Sequence, residues 1–189
     1  MTAAQQTPLP PIELLDRISA GIFAATMAPL FEGAPRFLGR LANARPFGSF
    51  DTLFERAGRI AHGMPIAEQL ELIDAHPRLG APPESVSALS FVEQGYERDA
   101  AEAAARDALA ERDRIAAELD RLNAAYEARF GFRYCVFVNG RTRAELLPGI
   151  AAALEAERAD ELARALDAVI DIARDRAARL GTVAREATP

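Results

Sequence analysis

A single run in this chain carries a β pattern, and the sequence offers it no partner. Tyr134-Cys135-Val136-Phe137-Val138 is β-branched and aromatic, the composition that suits a pleated, half-buried surface. Elsewhere the larger apolar residues recur three and four apart, which places them on one face of a helix. A sheet needs at least two strands. The reading is therefore all-α: a single-domain multi-helix bundle with one short extended segment near 133–138. The abundance of Ala, Leu, Glu and Arg points the same way, since all four are good helix formers.

Ile12, Leu15, Ile18, Ile22 and Phe23 predict one helix over 12–30, punctuated by Pro29 and Gly33-Ala34-Pro35. A short helix from Phe37 to Ala44 is ended by Pro46. Ser49 is a candidate N-cap for a helix carrying Leu53, Phe54, Ala57 and Ile60, which stops near His62-Gly63. Pro65 suits a first helical position; Ile66, Leu70, Ile73 and His76 follow on one face, and Pro77 ends the helix. Ser90-x-x-Glu93 matches a capping box. It opens an Ala- and charge-rich helical stretch from Phe91 to Ala128, with a break between Tyr96 and Arg106. Phe130-Gly131-Phe132 ends that stretch, and Asn139-Gly140 turns the chain. Thr142-x-x-Glu145 is a second capping box, opening a helix that Pro148 must kink or restart. The last helix runs from Asp160 to Leu180. Its stripe of Leu162, Leu166, Val169 and Ala173 continues to Arg176, and a guanidinium there needs a partner or a pocket. Residues 1–11 and 181–189 read as tails around a helical domain at 12–180.

Charge and composition narrow the function. Twenty-two basic against 28 acidic residues give a net charge of −6, with no basic, aromatic-rich run for nucleic acid. Cys135 is the only cysteine, so no intrachain disulfide can form, which fits a reducing compartment. In its apolar run it reads as a small buried hydrophobe. The N-terminus lacks a signal-peptide pattern, and no apolar run approaches the roughly 20 residues of a membrane helix. A cytoplasmic protein without membrane or nucleic-acid partners is expected. Two histidines fourteen residues apart and one cysteine give no zinc-type spacing. Neither a phosphate loop nor a Gly-x-Ser-x-Gly elbow is present. No metal or cofactor is expected.

Chemistry concentrates in His76-Pro77-Arg78-Leu79-Gly80 and Ser90-Phe91-Val92-Glu93-Gln94. Histidine is the side chain whose ordinary pKa lies near neutral pH. A carboxylate and an amide follow downstream, the raw material of a proton-transfer site. Each element also has a plainer reading. His76 alone fits a helix end bonded to a carbonyl, Ser90 and Glu93 a cap, and Arg176 a side chain reaching past its helix end.

Taken in order, His76-Pro77-x-Leu79-Gly80, Ser90-x-x-Glu93-Gln94, Asn123-x-x-Tyr126-x-x-x-Phe130-Gly131-Phe132-x-Tyr134 and Ile172-x-x-x-Arg176 resemble the 2-oxo-4-hydroxy-4-carboxy-5-ureidoimidazoline (OHCU) decarboxylase family. Arg45-Pro46-Phe47-x-Ser49 resembles it as well. The segment Gly95-Tyr96-Glu97-Arg98-Asp99 and the loop Gly33-Ala34-Pro35-Arg36 depart from the family pattern. The resemblance implies an all-α homodimer that needs no cofactor and releases CO2 from a small-molecule substrate, yielding (S)-allantoin in urate breakdown. It implies that His76 and Glu93 are catalytic. It further implies that Pro77, Ser90, Phe91, Val92, Glu93, Gln94, the backbone of Tyr134, Cys135, Val136, Phe137 and Val138, and Arg176 bind the substrate. A decarboxylase of a related heterocycle and a catalytically silent ligand-binding module of the same fold stay open as alternatives.

Overall fold

The computed structural model describes residues 7–96 and 106–181, and every regular element among them is helical. Nine α-helices are described: α1 Ile12–Leu15, α2 Ala20–Met27, α3 Pro35–Asn43, α4 Phe50–Gly63, α5 Ile66–Asp74, α6 Ala88–Glu93, α7 Arg106–Phe130, α8 Arg143–Ala153 and α9 Arg158–Leu180. Single 3-10 turns sit at Ala28–Phe31 and Pro83–Ser85. Residues 133–138 form neither helix nor ladder, so the all-α reading with one extended segment holds. None of the helices is long and apolar enough to cross a membrane among the described residues. Two compact units divide the chain. The first holds the residues up to Leu72 together with those from Ile170 onward; the second is Ile73–Val169. Most of both expected tails lies outside the described residues, as does the break expected between Tyr96 and Arg106.

In the first unit the single helix expected over 12–30 is broken. Ser19 accepts the N–H of Ile22 and starts α2 afresh, and Arg45 takes the carbonyls of Leu15 and Ile18 behind α1. A side chain that removes two carbonyls from the helical ladder ends the helix where apolar spacing alone would continue it. The restart also resets the buried face. Phe23 and Met27 are buried while Ile22 is 58% exposed. Helix α2 packs on α3, and α3 on α4. Ser49 caps α4 as expected. Leu9, placed by the sequence in a loose tail, is buried, and its N–H donates to the Gly181 carbonyl.

In the second unit α7 packs on α8, and the Tyr-x-x-x-Phe-Gly-Phe-x-Tyr pattern becomes an aromatic cluster. Gly131 ends α7 in the left-handed region (φ 77°), where a side chain would be strained. The reversal sets Phe130, Phe132 and Tyr134 around Tyr126, with centroids 4.6, 5.6 and 5.1 Å away. Thr142 and Glu145 form the expected capping box. Pro148 lies inside α8 instead of restarting it. The first capping box is corrected. The cap of α6 is Ser87, whose hydroxyl accepts the Ser90 N–H. Ser90 is therefore in mid-helix and Glu93 at its end. Both serines are N-cap residue types but only Ser90 has a glutamate three residues on, and the helix starts one turn earlier than the Ser90 reading allows.

Candidate active site

Helix α5 stops at Asp74, two residues before His76, and Arg133 closes its end. The Arg133 N–H donates to the Asp74 carboxylate at 2.9 Å. Its guanidinium donates to the Asp74 carbonyl at 2.8 Å and the His76 carbonyl at 3.1 Å. A cation on the last carbonyls of a helix satisfies acceptors that have no intrahelical donor. His76 is held from behind by its own N–H on the Ile73 carbonyl, 3.1 Å away, and is 5% exposed.

The loop that follows is fixed by two neutral amides. Gln94 Oε1 accepts the Gly80 N–H at 2.8 Å, and Gln94 Nε2 donates to the Arg78 carbonyl at 3.4 Å. Asn123, fully buried on α7, donates to the Leu79 carbonyl at 2.9 Å. The Tyr96 hydroxyl donates to the Ala81 carbonyl. Gly80 sits at φ 81°, and a Cβ there would come within 3.3 Å of the Leu119 side chain. Both the backbone conformation and the close approach of α7 demand glycine. The Arg78 side chain pairs with Glu127 at 2.8 Å. His76-Pro77-Arg78-Leu79-Gly80 is thus a rigid loop on an α5–α7 frame, with His76 at its head and Pro77 half-buried.

On α6, Ser90 and Gln94 are buried one turn apart, Phe91 and Glu93 are half-buried, and Val92 is 45% exposed. Gln94 reaches the histidine loop through its side chain, so its amide serves the loop backbone. In the extended segment Tyr134, Cys135 and Val138 are buried, and Val136 and Phe137 half-buried. The Cys135 carbonyl accepts from Arg164, and the Phe137 and Val138 carbonyls accept from Arg141. An open cavity of about 640 Å³ adjoins the histidine loop, its wall including Arg78, Gly80, Phe91, Tyr96 and Arg143. Among the described residues no three His, Cys, Asp or Glu side chains gather into a metal-holding cluster.

Arg176 lies in the first unit and points inward, as its stripe predicts, at 1% exposure. Its guanidinium donates to the carbonyls of Pro29 and Leu30 at 2.9 and 3.4 Å and to the Glu32 carboxylate at 2.8 Å. Glu32 is thus a carboxylate partner for the guanidinium that its stripe turns inward.

Sequence reasoning passed over Arg133, Arg141, Glu161 and Arg164. Glu161 had a usable signal. It heads a second stripe with Ala165, Ala168 and Ile172, all buried, and a carboxylate on such a stripe needs a partner just as Arg176 does. The arginines gave none: Arg133 and Arg164 serve backbone carbonyls that are distant in sequence, and Arg141, three and four residues from its carbonyls, carries no periodic signal.

Comparison with known proteins places this arrangement. A family model described as OHCU decarboxylase matches residues 16–178. The uric acid degradation bifunctional protein PucL of Bacillus subtilis (strain 168) is 31% identical over 168 residues, covering 89% of this chain and 32% of that protein. The chain spans only part of the two bifunctional relatives, 32% and 30% of their lengths. The 2-oxo-4-hydroxy-4-carboxy-5-ureidoimidazoline decarboxylase of Haloferax volcanii is 28% identical over 162 residues, 86% of this chain and 90% of its own. The fold is also that of a crystal structure of OHCU decarboxylase in the presence of (S)-allantoin. The TM-score is 0.61 at 23% identity, over 81% of this chain and 94% of that one. With the matched span running from before α2 almost to the end of α9, the chain belongs to the OHCU decarboxylase family.

Proposed function

We propose that the chain is a cofactor-independent carboxy-lyase that converts 2-oxo-4-hydroxy-4-carboxy-5-ureidoimidazoline to (S)-allantoin in urate breakdown. The observation that carries this reading is the buried His76 at the head of a loop whose backbone Arg133, Asn123 and Gln94 hold by hydrogen bonds. A general acid–base group works through geometry first and pKa second, and this backbone has little freedom.

The substrate carries its carboxylate on a carbon that also bears a hydroxyl, next to a C=N bond. Cleavage of the carbon–carboxylate bond releases CO2, and its electron pair passes toward that C=N, so the substrate is its own electron sink. The nitrogen of that C=N takes up a proton, a second proton is delivered to its carbon from one face of the ring, and the hydroxyl proton leaves as the carbonyl forms. His76 delivers the ring proton. Glu93 orients the imidazole or accepts the hydroxyl proton. Pro77, Ser90, Phe91 and Val92 line the substrate, and Gln94 acts through the loop it holds. The Tyr134–Val138 backbone and Arg176 bind the ring and ureido groups, supplying orientation and electrostatic stabilisation. One-sided protonation yields one enantiomer. The reading includes a homodimer, checked by light scattering, and a cytoplasmic location, checked by fractionation.

The test generates the unstable substrate in place from urate with the two upstream enzymes and follows CO2 and optical rotation with and without this chain. Faster CO2 release with one-handed product is expected. Binding of (S)-allantoin without faster release would instead favour the silent-module reading. His76→Ala is expected to lower the rate by about 10²–10⁴ with unchanged circular dichroism; wild-type turnover in that variant would remove His76 from the mechanism. Glu93→Gln is expected to lose activity with little loss of stability, since the two side chains are nearly the same size. Full activity would reduce Glu93 to a helix-end residue.

A further inference from the structure

Backbone groups outside helices and ladders must find other partners, and the extended segment finds arginines. Arg164 Nη1 donates to the Cys135 carbonyl at 2.9 Å, and its guanidinium lies 4.7 Å from the centre of the Tyr134 ring. Arg141 donates through Nε to Val138 at 3.0 Å and through Nη2 to Phe137 at 2.5 Å. Arg164 is itself mounted on a buried carboxylate. Its Nε lies 2.9 and 3.0 Å from the two oxygens of Glu161, which also accepts the Tyr126 hydroxyl at 2.7 Å. The Glu161 side chain is 5% exposed. A carboxylate so far from water is a poor device for stability alone, because desolvation offsets much of the Coulomb gain. It is a good device for geometry, since a phenol and a planar fork leave it one arrangement.

We infer that Arg164 is a positioning residue for the substrate-binding backbone at 134–138, with Glu161 and Tyr126 as its fixed mount. This rests on the decarboxylase reading of the site. Val136 lies between the arginine-bound carbonyls, and neither its N–H nor its C=O has a partner among the described residues. A donor and an acceptor on one residue match the adjacent C=O and N–H of a planar ureide or lactam edge, the chemical class of the proposed substrate. Removing Arg164 leaves that edge in place but lets it move.

The test uses the full chain with Arg164→Met, Arg164→Lys and the double variant Glu161→Gln/Arg164→Met, which removes the charge pair together and keeps the fold accessible. In Arg164→Met and the double variant, the KM and the Kd for (S)-allantoin are expected to rise about ten- to hundredfold while kcat stays within about threefold, the pattern of lost uniform binding. Arg164→Lys is expected to fall between, because an ammonium reaches the carboxylate or the carbonyl but not both. A merely structural role would lower the active fraction and kcat while leaving KM and Kd at wild-type values, and that result overturns the inference. In the ligand-free protein the carbonyl-carbon shift of Cys135 and the amide shift of Val136 are expected to move, with α2 and α3 unaffected. An unmoved Cys135 shift overturns the positioning role whatever the activity. A moved shift in a protein whose wild type neither binds (S)-allantoin nor speeds CO2 release overturns the decarboxylase reading, and with it the ligand assigned to this segment.

Discussion

Arg164 and Arg176 sit on one helix, each on a carboxylate, and they differ in what holds them. Arg176 is 1% exposed and grips Glu32 and two carbonyls, partners well over a hundred residues away in sequence. Those carbonyls belong to the 3-10 turn Ala28–Phe31, whose chain exits through left-handed Glu32 (φ 49°) and Gly33 (φ 80°). Arg164 has side-chain exposure of 34%, takes its carboxylate from Glu161 one turn earlier, and spends its remaining reach on Cys135. The first arginine closes a turn inside its unit. The second is a local pair whose free end serves a backbone. A charged side chain on an apolar stripe is conspicuous in a sequence; one beside the stripe, with a local partner, looks like an ordinary surface pair and hides its distant role.

Replacing Arg176 should have the largest effect. Arg176→Met leaves the Glu32 carboxylate and two carbonyls short of a buried donor, which is expected to cost about 3–5 kcal/mol by denaturant unfolding. A loss below about 1 kcal/mol would show that the site relaxes or admits water, and the contrast with Arg164 would vanish. Arg176→Lys keeps the charge opposite Glu32 but lacks the planar fork, so about 1–3 kcal/mol is expected. If substrate use falls much further than stability, Arg176 also binds the ligand. If the two fall together, its role is the turn alone.

Arg164→Met ranks next in stability, at about 1–3 kcal/mol, because the Arg164 side chain is a third exposed but its loss leaves Glu161 buried. Its stability loss is expected to be smaller than that of Arg176→Met and its effect on KM larger. Equal effects would make the two arginines equivalent, and the reverse order would exchange the roles assigned to them.

Tyr126→Phe removes one hydrogen bond to Glu161 and is expected to cost about 1–2 kcal/mol at neutral pH. It also has a pH signature. Burial, then the bond to the Glu161 carboxylate, push the Tyr126 phenol well above its ordinary value. A group whose folded pKa is raised stabilises fully below its unfolded pKa, about 10 for tyrosine, and loses that contribution as pH climbs above it. The melting temperature is therefore expected to fall above about pH 10, less steeply in Tyr126→Phe. Burial raises the Tyr134 phenol too, so some of the alkaline fall should persist. Identical profiles for wild type and variant would remove Tyr126 from the mount.

The exposed pair Arg40–Glu68, 2.6 Å apart in the first unit, is the control with the smallest effect. The bond to Arg40 holds the Glu68 carboxyl below its ordinary value. Its contribution is present above the ordinary glutamate pKa, is lost as pH falls through the lowered folded value, and is screened by salt. Glu68→Gln is expected to change the melting temperature least of all these variants. A loss comparable to Arg164→Met would mean that burial is not what separates the pairs.

Much of the fold was legible because its signals are local. Ser49, Thr142 with Glu145, Gly131 and Asn139-Gly140 act over one turn of chain, and each does what its spacing implied. The break between α1 and α2 was not legible, since Ser19 is an ordinary residue until Arg45 folds back onto the Leu15 and Ile18 carbonyls. The same limit applies to the site. The inward aim of Arg176 followed from its stripe, and the choice of Glu32 did not. Gln94 stood out as a polar residue beside the histidine motif, but that its amide holds Gly80 and Arg78 depends on a turn between them.

By itself, the sequence determined that the chain is helical, that its one extended run has no strand to pair with, and that its ordered motifs belong to one family. These properties follow from spacing, capping and residue type, which act within a few residues. Tertiary structure decided which serine caps α6, which carboxylate receives each arginine, and which amides hold the His76 loop. Those choices are made by hydrogen-bonding groups that must be satisfied once buried, and only the folded chain determines which groups are buried together.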